Sequence, residues 1–225
     1  MQENNNEKVS SGLEVRSISY QCAIDFLLPK HYSGRKPQIK WAFGWYDGDE
    51  LLAVCTFGKP ASDYLCRGIC GEKYKGSVYE LNRLCRVEKD IPQLSQFVSK
   101  CLKILKKENL IIVSYSDTAM NHHGYIYQAC NFLYTGETRR RTDRFKFGKH
   151  ARHLDEGDQS EYRVVRSVKH RYVYFCTSNR KLKKEWRDAL KWEVKEYPKG
   201  DNNPDYTLGE YLKETIIKAK QNNAI

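Results

Sequence analysis

The apolar positions fall into short runs whose period changes along the chain. Residues 39–46 are rich in aromatics, Asp47-Gly48 is a turn signal, and residues 51–57 are again apolar, so this stretch predicts a β-hairpin. Residues 58–76 mix glycines, a proline and charges, which predicts a long loop before a third strand at 78–87. Leu94, Phe97, Val98, Cys101, Leu102 and Leu105 then recur at helical spacing. Asp90 suits the cap of that helix, Pro92 its first turn, and Lys103, Lys106 and Lys107 its negative end. Residues 110–115 are continuously apolar, as in a strand covered on both faces. A short helix at 125–130, a strand at 132–138 and a last strand at 171–176 follow. Leu182, Trp186 and Leu190 predict a basic helix at 181–195, and residues 207–218 predict a terminal amphipathic helix.

Strands alternating with helices predict an α/β fold: a mixed sheet with helices on both faces and a C-terminal helical extension. One domain over residues 1–200 and a tail over 201–225 fit the length. An apolar fraction of 40% supplies a core, and there is no apolar run long enough to span a membrane. The polar, Asn-rich start lacks the regions of a signal peptide, so a cytoplasmic protein is expected. The eight cysteines are scattered; Cys66 and Cys70 are the one close pair, and their spacing suits zinc poorly.

A net charge of +11 changes the picture, because such a surplus suits a polyanionic partner as well as simple solubility. It concentrates in residues 139–153, where Arg139, Arg140, Arg141, Arg144, Lys146, Lys149 and Arg152 face only Asp143. Phe145 and Phe147 interleave with them, a pattern fit for phosphate contact with base stacking or for a solvated charged strand.

The element order resembles that of the GNAT acyltransferases, in which two central strands splay and the gap takes the acyl donor. Tyr127-Gln-Ala-Cys-Asn131-Phe132 resembles their Tyr-x-x-x-Gly-Phe junction, with asparagine for the glycine. Further motifs are similar to those of the Mom family of phage DNA-modification proteins. They are Lys30-His31-Tyr32-Ser33, Tyr79-Glu80-Leu81-Asn82-Arg83-Leu84 and Val113-Ser114-Tyr115-Ser116-Asp117-Thr118. His123-Gly124-Tyr125-Ile126-Tyr127-Gln128-Ala129, Asn131-Phe132-Leu133-Tyr134-Thr135-Gly136 and Lys169-His170-Arg171-Tyr172 continue the series. The resemblance implies carbamoylmethylation of the exocyclic amine of adenine in double-stranded DNA, which protects phage DNA from host restriction, and hence a phage- or prophage-encoded chain.

That amine is a poor nucleophile held inside the duplex, so the reaction needs base extrusion, close placement and a proton acceptor. Asp117, just past the buried strand, is the first candidate for the acceptor, with capping of the next segment as the equal alternative. Tyr127 stands where many GNAT enzymes keep a tyrosine that protonates the leaving group. His31 and Tyr32, in a polar loop, are expected to line the acceptor pocket, with His31 as an alternative base. Tyr32 and Tyr115 can stack the extruded base. Glu80 and Asn82 share one side of their strand and can orient substrate, with Arg83 on the other side. Ser114 offers a hydroxyl to the donor, and His123 belongs to the same expected substrate set. The resemblance also suggests iron on a His, Tyr and Asp set, although no facial-triad spacing is visible.

Residues 87–93 stand where GNAT enzymes carry a Gly-rich phosphate loop, yet they contain no glycine and two acids. That argues against acetyl-CoA. The product's nitrogen favours a glycyl group, and glycyl-tRNA would be a second polyanionic substrate. An ordinary N-acyltransferase and an inactive nucleic-acid-binding module are the competing readings.

Overall fold

The computed structural model describes residues 12–87, 94–146, 154, 161–201 and 215–218. Seven strands form one sheet: β1 (Leu13–Ser17), β2 (Trp41–Asp47), β3 (Glu50–Gly58), β4 (Val78–Arg86), β5 (Leu110–Asp117), β6 (Leu133–Glu137) and β9 (Lys169–Cys176). Their order is β1-β2-β3-β4-β5-β9-β6. A smaller antiparallel sheet has the order β10-β8-β7, from β7 (Arg141–Phe145), β8 (Tyr162–Arg166) and β10 (Thr215–Lys218).

The hairpin is as expected, with β2 and β3 antiparallel around Asp47-Gly48 and Gly48 at φ 57°. Helices cover both faces of the large sheet. On one face α3 (Leu94–Leu105) buries Phe97, Val98, Cys101, Leu102 and Leu105 against Trp45, Phe57 and Ile112. Burying Phe97, Val98, Leu102 and Leu105 at about 2 kcal/mol each is ample to hold this helix. The short α4 (Tyr125–Ala129) packs beside it through Ile126 and Tyr127. It ends at Asn131, whose φ of 60° is the left-handed conformation expected of the residue standing for glycine.

On the other face lie three helices. α1 (Tyr20–Leu27) is capped by Ser19, which accepts from the Cys22 amide at 3.1 Å. α2 (Asp63–Cys70) is capped by Ser62 and buries Cys66, Ile69 and Cys70. α5 (Arg180–Asp188) is capped by Asn179 and buries Trp186.

Three expectations are corrected. The loop over 58–76 contains α2 and a 3-10 turn (Glu72–Ser77), because three apolar side chains at i, i+3 and i+4 suffice once a sheet lies beneath them. The basic helix stops at Asp188, and the chain beyond it runs irregularly along the sheet, Lys195 donating its amide to Tyr134. In the expected terminal helix, residues 215–218 form β10, paired with Val165–Tyr162 of β8; residues 207–214 lie outside the described residues. β1 and α1 add to the elements that the apolar pattern predicts. Asp90, Pro92 and all of 87–93 except Val87 lie outside the described residues, as do Phe147, Lys149 and Arg152.

Candidate active site

The site begins where two strands separate. β4 and β5 are parallel only over Val78–Ile111, Tyr79–Ile112 and Glu80–Val113. Beyond that point β4 follows β3 as far as Arg86, and β5 follows β9 as far as Asp117 paired with Lys169. Ser114 stands at the fork. Its hydroxyl donates to the Leu81 carbonyl at 2.9 Å, satisfying one acceptor that the parting leaves without a strand partner. The phenol of Tyr127, carried by α4, hydrogen-bonds the same hydroxyl.

A cavity of about 2700 Å³ opens from the fork towards the small sheet. Because the parting breaks the large sheet, side chains from both of its faces reach one space: Tyr127 from the α3 side and Tyr115 from the α2 side. A pocket for a small molecule occupies roughly 300–1,000 Å³, so this trough has room for a polymer. Twelve lysines and arginines line it against Glu80, Glu137 and Asp143. Four of the twelve are Arg141 and Arg144 on β7 and Arg163 and Arg166 on β8, so the small sheet forms a cationic wall.

At the far end of β5 is a compact cluster. The His31 ring stacks on Tyr32 with centroids 4.5 Å apart, and Tyr32 meets His122 edge-on at 6.3 Å. His31 Nδ1 accepts from the Ser33 amide at 3.1 Å, which places the proton of the neutral ring on Nε2. Burial, with the cations Arg83 and Lys169 and the His122 ring nearby, lowers the His31 pKa to about 3. Burial and the neighbouring Asp117 carboxylate push Tyr32 up to about 12, so it remains a phenol.

Asp117 is 2% exposed and does not line the cavity. Lys169 Nζ lies 2.8 Å from its Oδ2, the Ala119 amide donates to Oδ1 at 3.1 Å, and Ser167 adds a further bond. Burial by itself would raise this carboxyl, but Lys169 and these donors outweigh it and hold it below the usual carboxylate range. The geometry therefore gives Asp117 the cap that was its alternative reading, plus an ion pair; the group it turns towards the cavity is Lys169.

The remaining expected residues divide. His31, Tyr32, Glu80, Asn82, Arg83, Ser114's partner Tyr127, Tyr115, Arg139, Arg141 and Arg144 border the cavity or its fork. Asn82 is the extra residue of a bulge, opposite the Thr56–Phe57 step. Its amide donates to Gln38 and accepts from Thr56, each at 2.7 Å, so it braces the framework. Arg83 donates to the Asn82 and Arg35 carbonyls, and burial lowers its pKa. His123 turns away from the cavity towards His170, with its carbonyl accepting from Tyr172 at 2.5 Å. Arg140 and Lys146 are exposed outside the cavity lining.

Lys169, His122, Arg163, Arg166 and Trp192 are cavity residues to which the sequence assigned no role. For Lys169 the signal in the sequence is its place in the Lys169-His170-Arg171-Tyr172 motif. Trp192 packs 3.5 Å above the Arg171 guanidinium, itself fixed by two bonds to Thr135. Iron does not fit. Asp117 is already paired with Lys169, His31 Nδ1 is taken by the Ser33 amide, and among the described residues no three His, Cys, Asp or Glu side chains are placed to hold a metal ion.

The model of the Mom protein family matches residues 12–199. The chain belongs to the Mom protein family. Among curated relatives, this Mom-family chain is 27% identical over 133 residues to the methylcarbamoylase mom of Escherichia phage Mu. That match covers 56% of the chain and 55% of the phage protein, so little more than half the length of the relative is spanned. Among solved structures, an N-acetyltransferase from Staphylococcus aureus Mu50 is similar over 74% of the chain and all of its own, at 12% identity and a TM-score of 0.47. A GNAT family acetyltransferase from Elizabethkingia anophelis with acetyl-CoA bound is similar over 72% of the chain and 97% of its own, at 12% identity and a TM-score of 0.44. Among the described residues of this Mom-family protein, no helix is long and apolar enough to cross a membrane.

Proposed function

We propose that this protein is a transferase that converts adenine in double-stranded DNA to N6-carbamoylmethyladenine, a change that shields phage DNA from restriction. Membership of the Mom family supports the reaction class. The observation that carries the reading is a cation-lined trough running into a fork where Tyr127, Ser114 and the Leu81 carbonyl are joined by hydrogen bonds. Phosphate contacts along such a trough supply affinity without sequence preference, and a duplex held there must extrude its adenine to reach the fork.

Tyr127 carries its proton at the fork, so it is suited to protonate a leaving group and to take a proton back from solvent. Its pKa is raised, burial being the main cause, which keeps the phenol protonated between turnovers. Neutral His31, with Nδ1 occupied, offers an N–H rather than a lone pair in its present pose. For the donor we favour glycyl-tRNA: the adenine amine attacks the glycyl ester and releases the tRNA, the freed glycine amine then attacks the purine carbon, and the original nitrogen leaves that carbon as the amide. The glycyl group thus supplies both carbons, the oxygen and the new ring-bound nitrogen. Acetyl-CoA is the alternative.

The test is a total nucleoside digest of DNA from cells making the protein, analysed by mass spectrometry, with the purified protein then supplied with DNA and each donor. Carbamoylmethyladenine in the digest is expected. Untouched adenines, or tight coenzyme A binding with indifference to DNA, would overturn the reading; product from acetyl-CoA and a nitrogen source but not from glycyl-tRNA would reassign the donor.

A further inference from the structure

Lys169 and Asp117 form a cross-strand pair at the end of the sheet, on adjacent elements β9 and β5. The two side chains differ sharply in exposure, 39% for the lysine and 2% for the aspartate, although Nζ and Oδ2 are 2.8 Å apart. The carboxylate accepts from Lys169, Ser167 and the Ala119 amide and is not among the groups that line the cavity. An ammonium has three N–H donors, and Asp117 takes one of them. The lysine lines the cavity, close enough for its charge to be felt at His31, and so opens on the aromatic cluster of His31, Tyr32 and His122.

Two features define what this ammonium can hold. Its charge is balanced by Asp117, so the pair as a unit has little attraction for a phosphate; the four arginines of β7 and β8, set against the single Asp143, are better placed for that. It retains strong, charge-assisted donors in a wall of rings, which is the setting for an uncharged heteroaromatic acceptor. Its partner lies three residues beyond Ser114 on β5, roughly 10 Å at the rise of a strand. Lys169, the aromatic rings and the fork therefore border one cavity, within the span of a bound nucleotide.

We propose that Lys169 is the base-reading residue, donating to a ring nitrogen of the extruded adenine beside its exocyclic amine, with Asp117 as the buried positioning residue that fixes its direction. This rests on the proposed adenine modification, but its test is a binding measurement. Four duplexes are compared, each with one extrahelical purine opposite an abasic site: adenine, 1-deazaadenine, 3-deazaadenine and 7-deazaadenine. Affinities are measured for the unaltered protein and for the double variant Asp117→Asn with Lys169→Met, which removes both charges together and leaves neither stranded.

The unaltered protein is expected to lose about tenfold in affinity for the 1-deaza or the 7-deaza duplex and to bind the 3-deaza duplex like adenine. In the double variant all four duplexes should bind alike. Asp117→Asn alone should narrow the discrimination, while the ammonium it leaves unbalanced raises the affinity for all four duplexes by a common, salt-sensitive factor. Equal binding of all four by the unaltered protein, or the same discrimination in the double variant, overturns the assignment. If adenines are modified in cells but the four duplexes bind alike, the base-reading role fails and the function stands. If discrimination is present while adenines in cells stay untouched, the base-reading role stands and the reaction fails.

Discussion

Ser114 donates its hydroxyl to the Leu81 carbonyl at 2.9 Å, immediately beyond the last residue pair that joins β4 to β5. One side chain thus closes the end of the paired region and orients Tyr127 at the mouth of the opening. Ser114→Ala would leave a buried carbonyl unsatisfied, and a loss of about 1–3 kcal/mol is expected in urea denaturation. Ser114→Thr, which keeps the hydroxyl on a bulkier side chain, should retain more of the modification activity than the alanine variant.

Tyr127→Phe removes the phenolic proton and keeps the ring that packs on Phe132 and Tyr172 at about 5 Å. Modification of adenine should fall by about 10²-fold or more, the scale of general acid catalysis, with DNA affinity unchanged. Single-turnover nucleoside analysis beside an anisotropy titration separates the two quantities. Equal loss of both would assign Tyr127 to binding or folding.

The neutral state of His31 makes stability depend on pH. Its folded pKa of about 3 lies below the ordinary 6.5, so the unfolded chain takes up a proton first as the pH falls. The stabilisation from a neutral His31 is complete above pH 6.5 and is lost progressively between pH 6.5 and 3. His122 and His170 are also lowered, chiefly by burial, and contribute in the same direction. His31→Gln is therefore expected to flatten, not abolish, the fall of the urea midpoint across that window.

Arg141 and Arg144 on β7 line the trough, whereas Arg140 between β6 and β7 does not. Arg141→Ala with Arg144→Ala should weaken DNA binding across all sequences. The slope of log affinity against log salt should fall by about one for each phosphate that is no longer neutralised. Arg140→Ala should have a smaller effect in the same salt series.

Gly124 has φ 72°, and a Cβ there would lie 2.5 Å from the Tyr172 ring. Gly124→Ala meets both the backbone penalty and the clash, so a destabilisation of about 1–3 kcal/mol is expected from denaturant unfolding. Since Gly124 precedes α4, activity should decline with stability as Tyr127 is displaced.

The residue pattern alone determined the hairpin, α3, the buried strand β5 and the Tyr127–Phe132 junction, because each rests on local chemistry: a turn dipeptide, a helical stripe, an apolar run, a left-handed asparagine. It also carried the family motifs and the basic stretch. Local chemistry was silent on α2, whose few apolar positions become a helix only against a sheet, and on residues 215–218, where pairing with β8 overrides the amphipathic period. The three-dimensional arrangement alone decided that β8 adds Arg163 and Arg166 to the cationic wall and that His123 faces away. It decided too that position 117 sits behind a lysine fifty-two residues further along the chain. Periodicity records which side chains leave water, but the partner a buried charge meets there depends on which strands become neighbours, and that is set by the packing of the whole sheet.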